Sequence, residues 1–184
     1  LNHDVQRIER LITDYSQILK DEVALSKEKM KKINLELIVR SVVDDFNNIY
    51  EAKRGIKIIL NNSSNQDEYL INGIENRIEQ IIANLLDNSI SFSDDNKKIL
   101  VEISRKEKET ITLKVIDEGK GFEETSTKKV FDRFYSNRPD TFGEHSGLGL
   151  NIVKNLVDLH GATINASNNV TQKGANIEII FPKA

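Results

Sequence analysis

Asn84 and Asn88 stand four residues apart in the run Ile78–Phe92, IEQIIANLLDNSISF. In a helix that spacing puts both carboxamides on one face. Ile78, Ile82, Leu85, Ser89 and Phe92 make one stripe of the same run, and Ile81, Leu86 and Ile90 spread apolar surface over much of the rest. A helix so apolar is largely buried. Buried amides without partners cost about 1–3 kcal/mol each. Two arrangements satisfy them. Either both amides bond to neighbouring backbone, or the helix points carboxamide oxygens at a hard cation and the phosphates it carries.

Asp117-Glu118-Gly119-Lys120-Gly121-Phe122 follows directly on the apolar alternation of Ile111–Ile116. Glycines there allow a sharp turn and close approach to a ligand. An aspartate just past a buried strand is an acceptor suited to an amino group such as that of adenine. A D-x-G-x-G run by itself also describes an ordinary hairpin turn. Gly147-Leu148-Gly149-Leu150 runs straight into a further apolar helix, where exposed N–H groups form an anion site or simply a helix entry. The chain has no G-x-x-x-x-G-K-[ST] loop and no early strand–G-x-G-x-x-G–helix unit, which excludes P-loop and dinucleotide-fold readings.

The elements that must hold these residues follow from periodicity. Leu1, Val5, Ile8, Ile12, Tyr15 and Leu19 alternate spacings of four and three, an a/d seam. Leu11 and Ile18 widen it toward a helical bundle. The lysine-rich Lys27–Lys32 reads as a solvated last turn or linker. From Ile33 the texture is mixed: a short strand at Asn34–Leu37, a helix Ile38–Arg54 closed by Gly55, and a strand Ile56–Leu60. A helix Glu75–Phe92 comes next, then a hairpin Ile99–Arg105 and Thr110–Ile116, and an irregular polar stretch Thr125–Ser146. A helix Leu148–His160 ending at Gly161 and strands Ala162–Ala166 and Ala175–Phe181 complete the chain. Strands and helices do not alternate regularly. The expectation is an α+β fold, a two-layer α/β sandwich with a mixed sheet, preceded by an N-terminal helix.

Composition narrows the partners. The formal charge is −3 with both signs interspersed, which offers no basic footprint for nucleic acid and no direct membrane contact. No cysteine is present, so disulfides and thiolate metal sites are excluded. No apolar run reaches the roughly 20 residues of a membrane helix, and none reads as a signal peptide. The chain opens on Leu1 without an initiator methionine, and the expectation is a soluble piece of a longer protein.

In order and spacing, these pieces resemble the catalytic domain of bacterial sensor histidine kinases, within the wider GHKL family shared with gyrase, Hsp90 and MutL. Asn84–Asn88 resembles the N box, Asp117–Gly121 the G1 box, Phe131-Asp132-Arg133-Phe134-Tyr135 the F box, Gly147–Leu150 the G2 box, and Gly174-Ala175 the final glycine motif. The likeness spans Ile33–Ala184. It implies residues 33–184 as the ATP-binding catalytic domain and 1–32 as the second helix of a dimerisation hairpin plus linker.

By that resemblance Asn88 coordinates Mg²⁺ between the phosphates of ATP and Asn84 lines the same pocket. Asp117 accepts from the adenine amino group, Gly119 and Gly121 shape the adenine wall, and Gly147, Leu148, Gly149 and Leu150 meet the phosphates. Arg133 and Tyr135 join the ATP site, and Phe131 and Phe134 anchor a lid over Thr125–Ser146. ATPase relatives carry a water-activating glutamate where this chain has Asn84, and an amide cannot take that proton, which favours phosphotransfer over hydrolysis. One position departs: Ser91 stands where relatives often carry lysine or arginine, so Arg133, Arg138 or Lys120 would balance phosphate charge. The run Phe131–Pro139 with Phe142–Ser146 is similar to the alphaproteobacterial envelope- or acid-sensing branch.

The resemblance further implies a homodimer through the dimerisation domain, transfer of phosphate to a histidine on a helix outside this chain, and a response-regulator receiver domain as the next acceptor. The full protein would then be an inner-membrane sensor with this part in the cytoplasm. His3 begins like an acceptor motif but has Ile8 at the proline position and only one helix after it, and it reads as an ordinary helix residue. His145 reads as a polar loop residue, and His160 as a helix C-terminal residue favoured by the dipole. The alternatives are a GHKL-type ATPase or serine kinase, and a degenerate nucleotide-binding scaffold.

Overall fold

The computed structural model describes residues 8, 12, 13, 28–63, 69–107, 109–123, 127–132 and 149–184. Ile8, Ile12 and Thr13 are helical, with Ile8 and Ile12 exposed. Three further helices lie on one side of a five-stranded sheet. In chain order these are β1 (Lys31–Asn34), α1 (Leu35–Arg54), β2 (Lys57–Asn62), β3 (Leu70–Gly73), α2 (Glu75–Phe92), β4 (Lys98–Glu107), β5 (Thr110–Asp117), α3 (Gly149–Leu159), β6 (Thr163–Asn168) and β7 (Ala175–Pro182).

The main sheet runs β2-β4-β5-β7-β6. Its β2–β4 pair is parallel and its other pairs antiparallel, the mixed sheet expected from sequence. Strict alternation makes one face apolar: Ile99, Val101 and Ile103 on β4, Ile111, Leu113 and Val115 on β5, and Ile177, Ile179 and Phe181 on β7 are all buried. Against them pack Leu35, Val39 and Val43 of α1, Ile78, Ile82 and Leu85 of α2, and Val153 and Val157 of α3 in a single core. Each such side chain contributes about 1.5–3 kcal/mol of burial, which outweighs any propensity term in fixing the layers.

The N-terminal border differs from the sequence reading. The strand is Lys31–Asn34, not Asn34–Leu37, and the lysine-rich stretch is no linker at its end, since Lys31 and Lys32 pair with Gly73 and Asn72. Asn34 is instead the N-cap of α1, its side chain accepting from the Glu36 N–H at 3.0 Å. The helix therefore starts at Leu35, three residues earlier than expected, and stops as expected at Gly55, whose N–H bonds the Glu51 carbonyl at 3.0 Å. Asn47 on α1 makes a two-point contact with β2, accepting from Ile58 N–H at 2.8 Å and donating to its carbonyl at 2.9 Å.

α2 is fastened near both ends. Arg54, the last residue of α1, donates to the carbonyls of Ile90 at 2.9 Å and Ser93 at 2.7 Å, and to Asp95 at 2.7 Å. Cationic donors on the last carbonyls of a helix also suit its dipole. At the other end Ile74 offers no side-chain cap, and its N–H is received by the ring Nε2 of His160 at 3.1 Å. His160 is thus not a solvent-facing cation at a helix end. It is buried, its Nδ1 pairs with the Leu156 carbonyl at 2.6 Å, and burial holds its pKa below the ordinary histidine value.

Candidate functional site

The end of β5 and the second half of α2 meet at Asp117. This carboxylate is only 2% exposed. Its Oδ1 accepts from the N–H of Gly119 at 2.9 Å and of Ala175 at 3.0 Å, and the Ser89 hydroxyl of α2 bonds to the same carboxylate. Burial pushes its pKa up from the usual aspartate value, against those three hydrogen bonds, which favour the charged form. The side chain is aimed by the fold before any ligand arrives.

Ser89 follows Asn88 on α2, the helix that also carries Asn84. Asn84 and Asn88 are both half-buried. Ser91, the departing position, is buried, and its hydroxyl donates to the Asn88 carbonyl at 2.8 Å. It belongs to the helix end. Ser93 does likewise, donating to the Ser89 carbonyl at 2.8 Å.

The glycine turn is built on contact. A Cβ on Gly119 would lie 2.7 Å from the Phe92 carbonyl oxygen of α2, and one on Gly121 would lie 2.6 Å from Asn168 Oδ1. Gly174 is tighter still: its Cβ would sit 1.8 Å from the carbonyl oxygen of Asp117. The turn thus presents bare backbone beside a buried acceptor, the surface needed for a flat heteroaromatic base bearing an amino group.

Gly149 and Leu150 open α3. Among the described residues nothing lies within 4 Å of a Cβ built on Gly149. Asn151 in the first turn donates to the Phe131 carbonyl at 2.9 Å, and Phe131 packs half-buried against the core. Arg133, Phe134, Tyr135, Arg138, His145, Gly147 and Leu148 lie outside the described residues, as does His3. Lys120 is exposed.

Sequence reasoning missed Ser89 and Asn168. Ser89 was legible only as a polar residue in an otherwise apolar stripe. Asn168, which accepts from the Phe122 N–H at 2.6 Å and donates to its carbonyl at 2.8 Å, had no local signal, because its partner is 46 residues away. Among the described residues no group of three or more His, Cys, Asp or Glu side chains could hold a metal. No helix among them is long and apolar enough to cross a membrane.

A helix-backed mixed sheet whose central strand ends in a buried aspartate and a glycine turn defines a class of nucleotide-binding α/β sandwich. The chain belongs to the histidine kinase-, DNA gyrase B- and HSP90-like ATPase family, whose model matches residues 73–184. Among curated relatives it is 32% identical over 192 residues to the sensor protein ChvG of Agrobacterium fabrum, covering 99% of this chain and 32% of that protein. The chain thus spans about a third of the length of that relative. Histidine kinase ThkA, solved in complex with the response regulator protein TrrA, shares the fold at TM-score 0.70 with 22% identity, over 94% of this chain and 48% of that one. Full-length ShkA in complex with AMPPNP does so at TM-score 0.70 with 24% identity, over 84% of this chain and 32% of that one.

Proposed function

We propose that residues 33–184 bind ATP as its magnesium complex and deliver the γ-phosphate to a protein histidine. The residues ahead of β1 would supply the second helix of the dimerisation hairpin and the linker. The observation that carries this reading is the buried, pre-aimed carboxylate of Asp117 beside a turn whose glycines leave backbone bare. An ionised carboxylate can only accept, which matches the exocyclic amino group of adenine and rejects a carbonyl at that place.

Asn88 would give a carboxamide oxygen to Mg²⁺, a neutral oxygen donor of the kind this hard ion takes. Asn84 would line the same pocket. Backbone N–H groups of Gly147, Leu148, Gly149 and Leu150, at the positive end of α3, would meet phosphate oxygens, and Arg133 and Tyr135 would add charge and a hydroxyl. Bound Mg²⁺ supplies charge neutralisation at the transferring group.

Asn84 separates transfer from hydrolysis. An amide cannot deprotonate water, so a histidine nitrogen would be the attacking group: the nitrogen–phosphorus bond forms as the bond to the bridging oxygen of ADP breaks. The relatives named as sensor proteins, and ThkA solved with a response regulator, support a two-component pathway in which a receiver aspartate takes the phosphate next. The full protein would be an inner-membrane sensor with this part in the cytoplasm.

Titration with a fluorescent ATP analogue, with and without Mg²⁺, tests the binding half. Saturable binding tightened by Mg²⁺ is expected, and a protein that binds none overturns it. The transfer half is tested by incubating the full-length protein with γ-labelled ATP. Acid-labile, alkali-stable label on protein is expected, whereas free phosphate with no labelled protein points to the ATPase alternative.

A further inference from the structure

The β6–β7 turn is docked against both ends of the Asp117–Phe122 turn. At one end the Ala175 N–H bonds Asp117 Oδ1 at 3.0 Å, and Gly174 lies so close to the Asp117 carbonyl that no Cβ fits. At the other end Asn168 grips Phe122 by both backbone groups, its Oδ1 accepting at 2.6 Å and its Nδ2 donating at 2.8 Å. The β6–β7 turn is itself closed by the Asn169 N–H on the Gly174 carbonyl at 2.9 Å.

These contacts depend on each other. Asn168 Oδ1 occupies the space a Cβ on Gly121 would need, at 2.6 Å, and Gly121 has φ +77°. The missing side chain at Gly121 therefore admits the carboxamide, and the carboxamide fixes the residue after it. The Phe122 ring packs half-buried against the core, so its backbone is fixed on one side by packing and on the other by Asn168. Asn168 itself is exposed, with no burial of its own to explain it.

We propose that Asn168 is a positioning residue for the base-binding wall: by clamping Phe122 it sets the height of the Gly119–Gly121 backbone over the Asp117 carboxylate. This rests on the adenine reading of that site. Asn168 touches no nucleotide; it acts through the turn. A carboxamide does this where a carboxylate would not, because Phe122 presents a donor and an acceptor at once and the amide answers both.

The test is calorimetric titration of ATP into wild type, Asn168→Ala and Asn168→Asp, each with and without Mg²⁺, alongside hydrogen exchange at the Phe122 amide. Loss of both bonds in Asn168→Ala is expected to weaken ATP about tenfold under both conditions. The factor by which Mg²⁺ tightens binding should then be unchanged, since the phosphate side is intact. Asn168→Asp keeps the acceptor and loses the donor, and should fall between. The Phe122 amide should exchange about tenfold faster in the alanine variant. Equal ATP affinity in Asn168→Ala overturns the proposal, and so does loss of the Mg²⁺ factor together with affinity, which marks a general collapse. A wild type that binds no ATP removes the adenine reading as well, whereas binding wild type with indifferent variants removes this inference alone.

Discussion

Glu28 and Arg77 form a two-point ion pair, Nε to Oε2 at 3.1 Å and Nη2 to Oε1 at 3.3 Å. It joins the residues ahead of β1 to the first turn of α2, the helix of Asn84 and Asn88, and Asn76 reaches the same carboxylate at 3.5 Å. The Arg77 side chain is 9% exposed and Glu28 27%, so solvent screens only one partner. Glu28→Ala removes this carboxylate from Arg77, at a cost of about 1–2 kcal/mol. A fall in thermal midpoint of a few degrees should follow. An unchanged midpoint would show the pair to be incidental.

Asn88→Ala should abolish the Mg²⁺-dependent part of ATP-analogue binding and leave the Mg²⁺-independent part. The readout is the ratio of the two dissociation constants. A ratio equal to that of wild type moves the metal elsewhere.

Asp117→Asn should separate stability from recognition. The asparagine oxygen can still accept from Gly119 and Ala175, and the substitution removes a buried charge, so stability should stay within about 1 kcal/mol of wild type. The new NH₂ group faces the adenine amino group donor to donor, and ATP affinity should fall about tenfold or more. Thermal melting paired with titration checks both, and normal affinity would remove Asp117 from the site.

Gly174→Ala and Gly149→Ala should behave oppositely. The first drives a Cβ into the Asp117 carbonyl at 1.8 Å and should cost about 3 kcal/mol by denaturant melting. The second meets nothing within 4 Å among the described residues and improves helix propensity by up to about 1 kcal/mol. If phosphates approach the Gly149 backbone, that stable variant will nonetheless bind ATP more weakly; full affinity would release Gly149 from the site.

Acid should weaken the fold through His160. Its pKa is lowered by burial, so below the ordinary value of about 6.5 the unfolded chain takes up a proton that the folded one resists. Stability therefore rises with pH from the folded pKa up to about 6.5 and is flat above it. Protonated Nε2 would face the Ile74 N–H donor to donor. Asp117 has the opposite sign: with a raised pKa, its contribution falls as pH rises from about 3.9 to the folded value. Denaturant melts of wild type and His160→Gln across about pH 5–8 check this, and parallel curves would acquit His160.

Much of this was legible in sequence because it is local. The stripe from Ile78 to Phe92 gave α2 to the residue, and alternation gave β5 and β7. β3, Leu70–Gly73, was missed: four residues ending in glycine carry too little periodicity. β1 was misplaced because pairing across about forty residues, not propensity, makes Lys31–Asn34 a strand. His160 does stand at a helix end, but its burial and its bond to Ile74, 86 residues away, had no local signal. Asp117 and the glycines were visible as types, while the hydrogen bonds that aim them come from β7 and α2 and only the fold supplies them.

β2 is a border of the main sheet, and its pairing with β4 leaves the backbone of Ile58 facing outward. Both outward groups are taken by the Asn47 amide, which imitates one peptide unit of a passing strand. A second chain adding at this border would have to displace the Asn47 amide from Ile58. At that point of the border Asn47 stands where the backbone of an added strand would have to bond, which works against edge-to-edge pairing there.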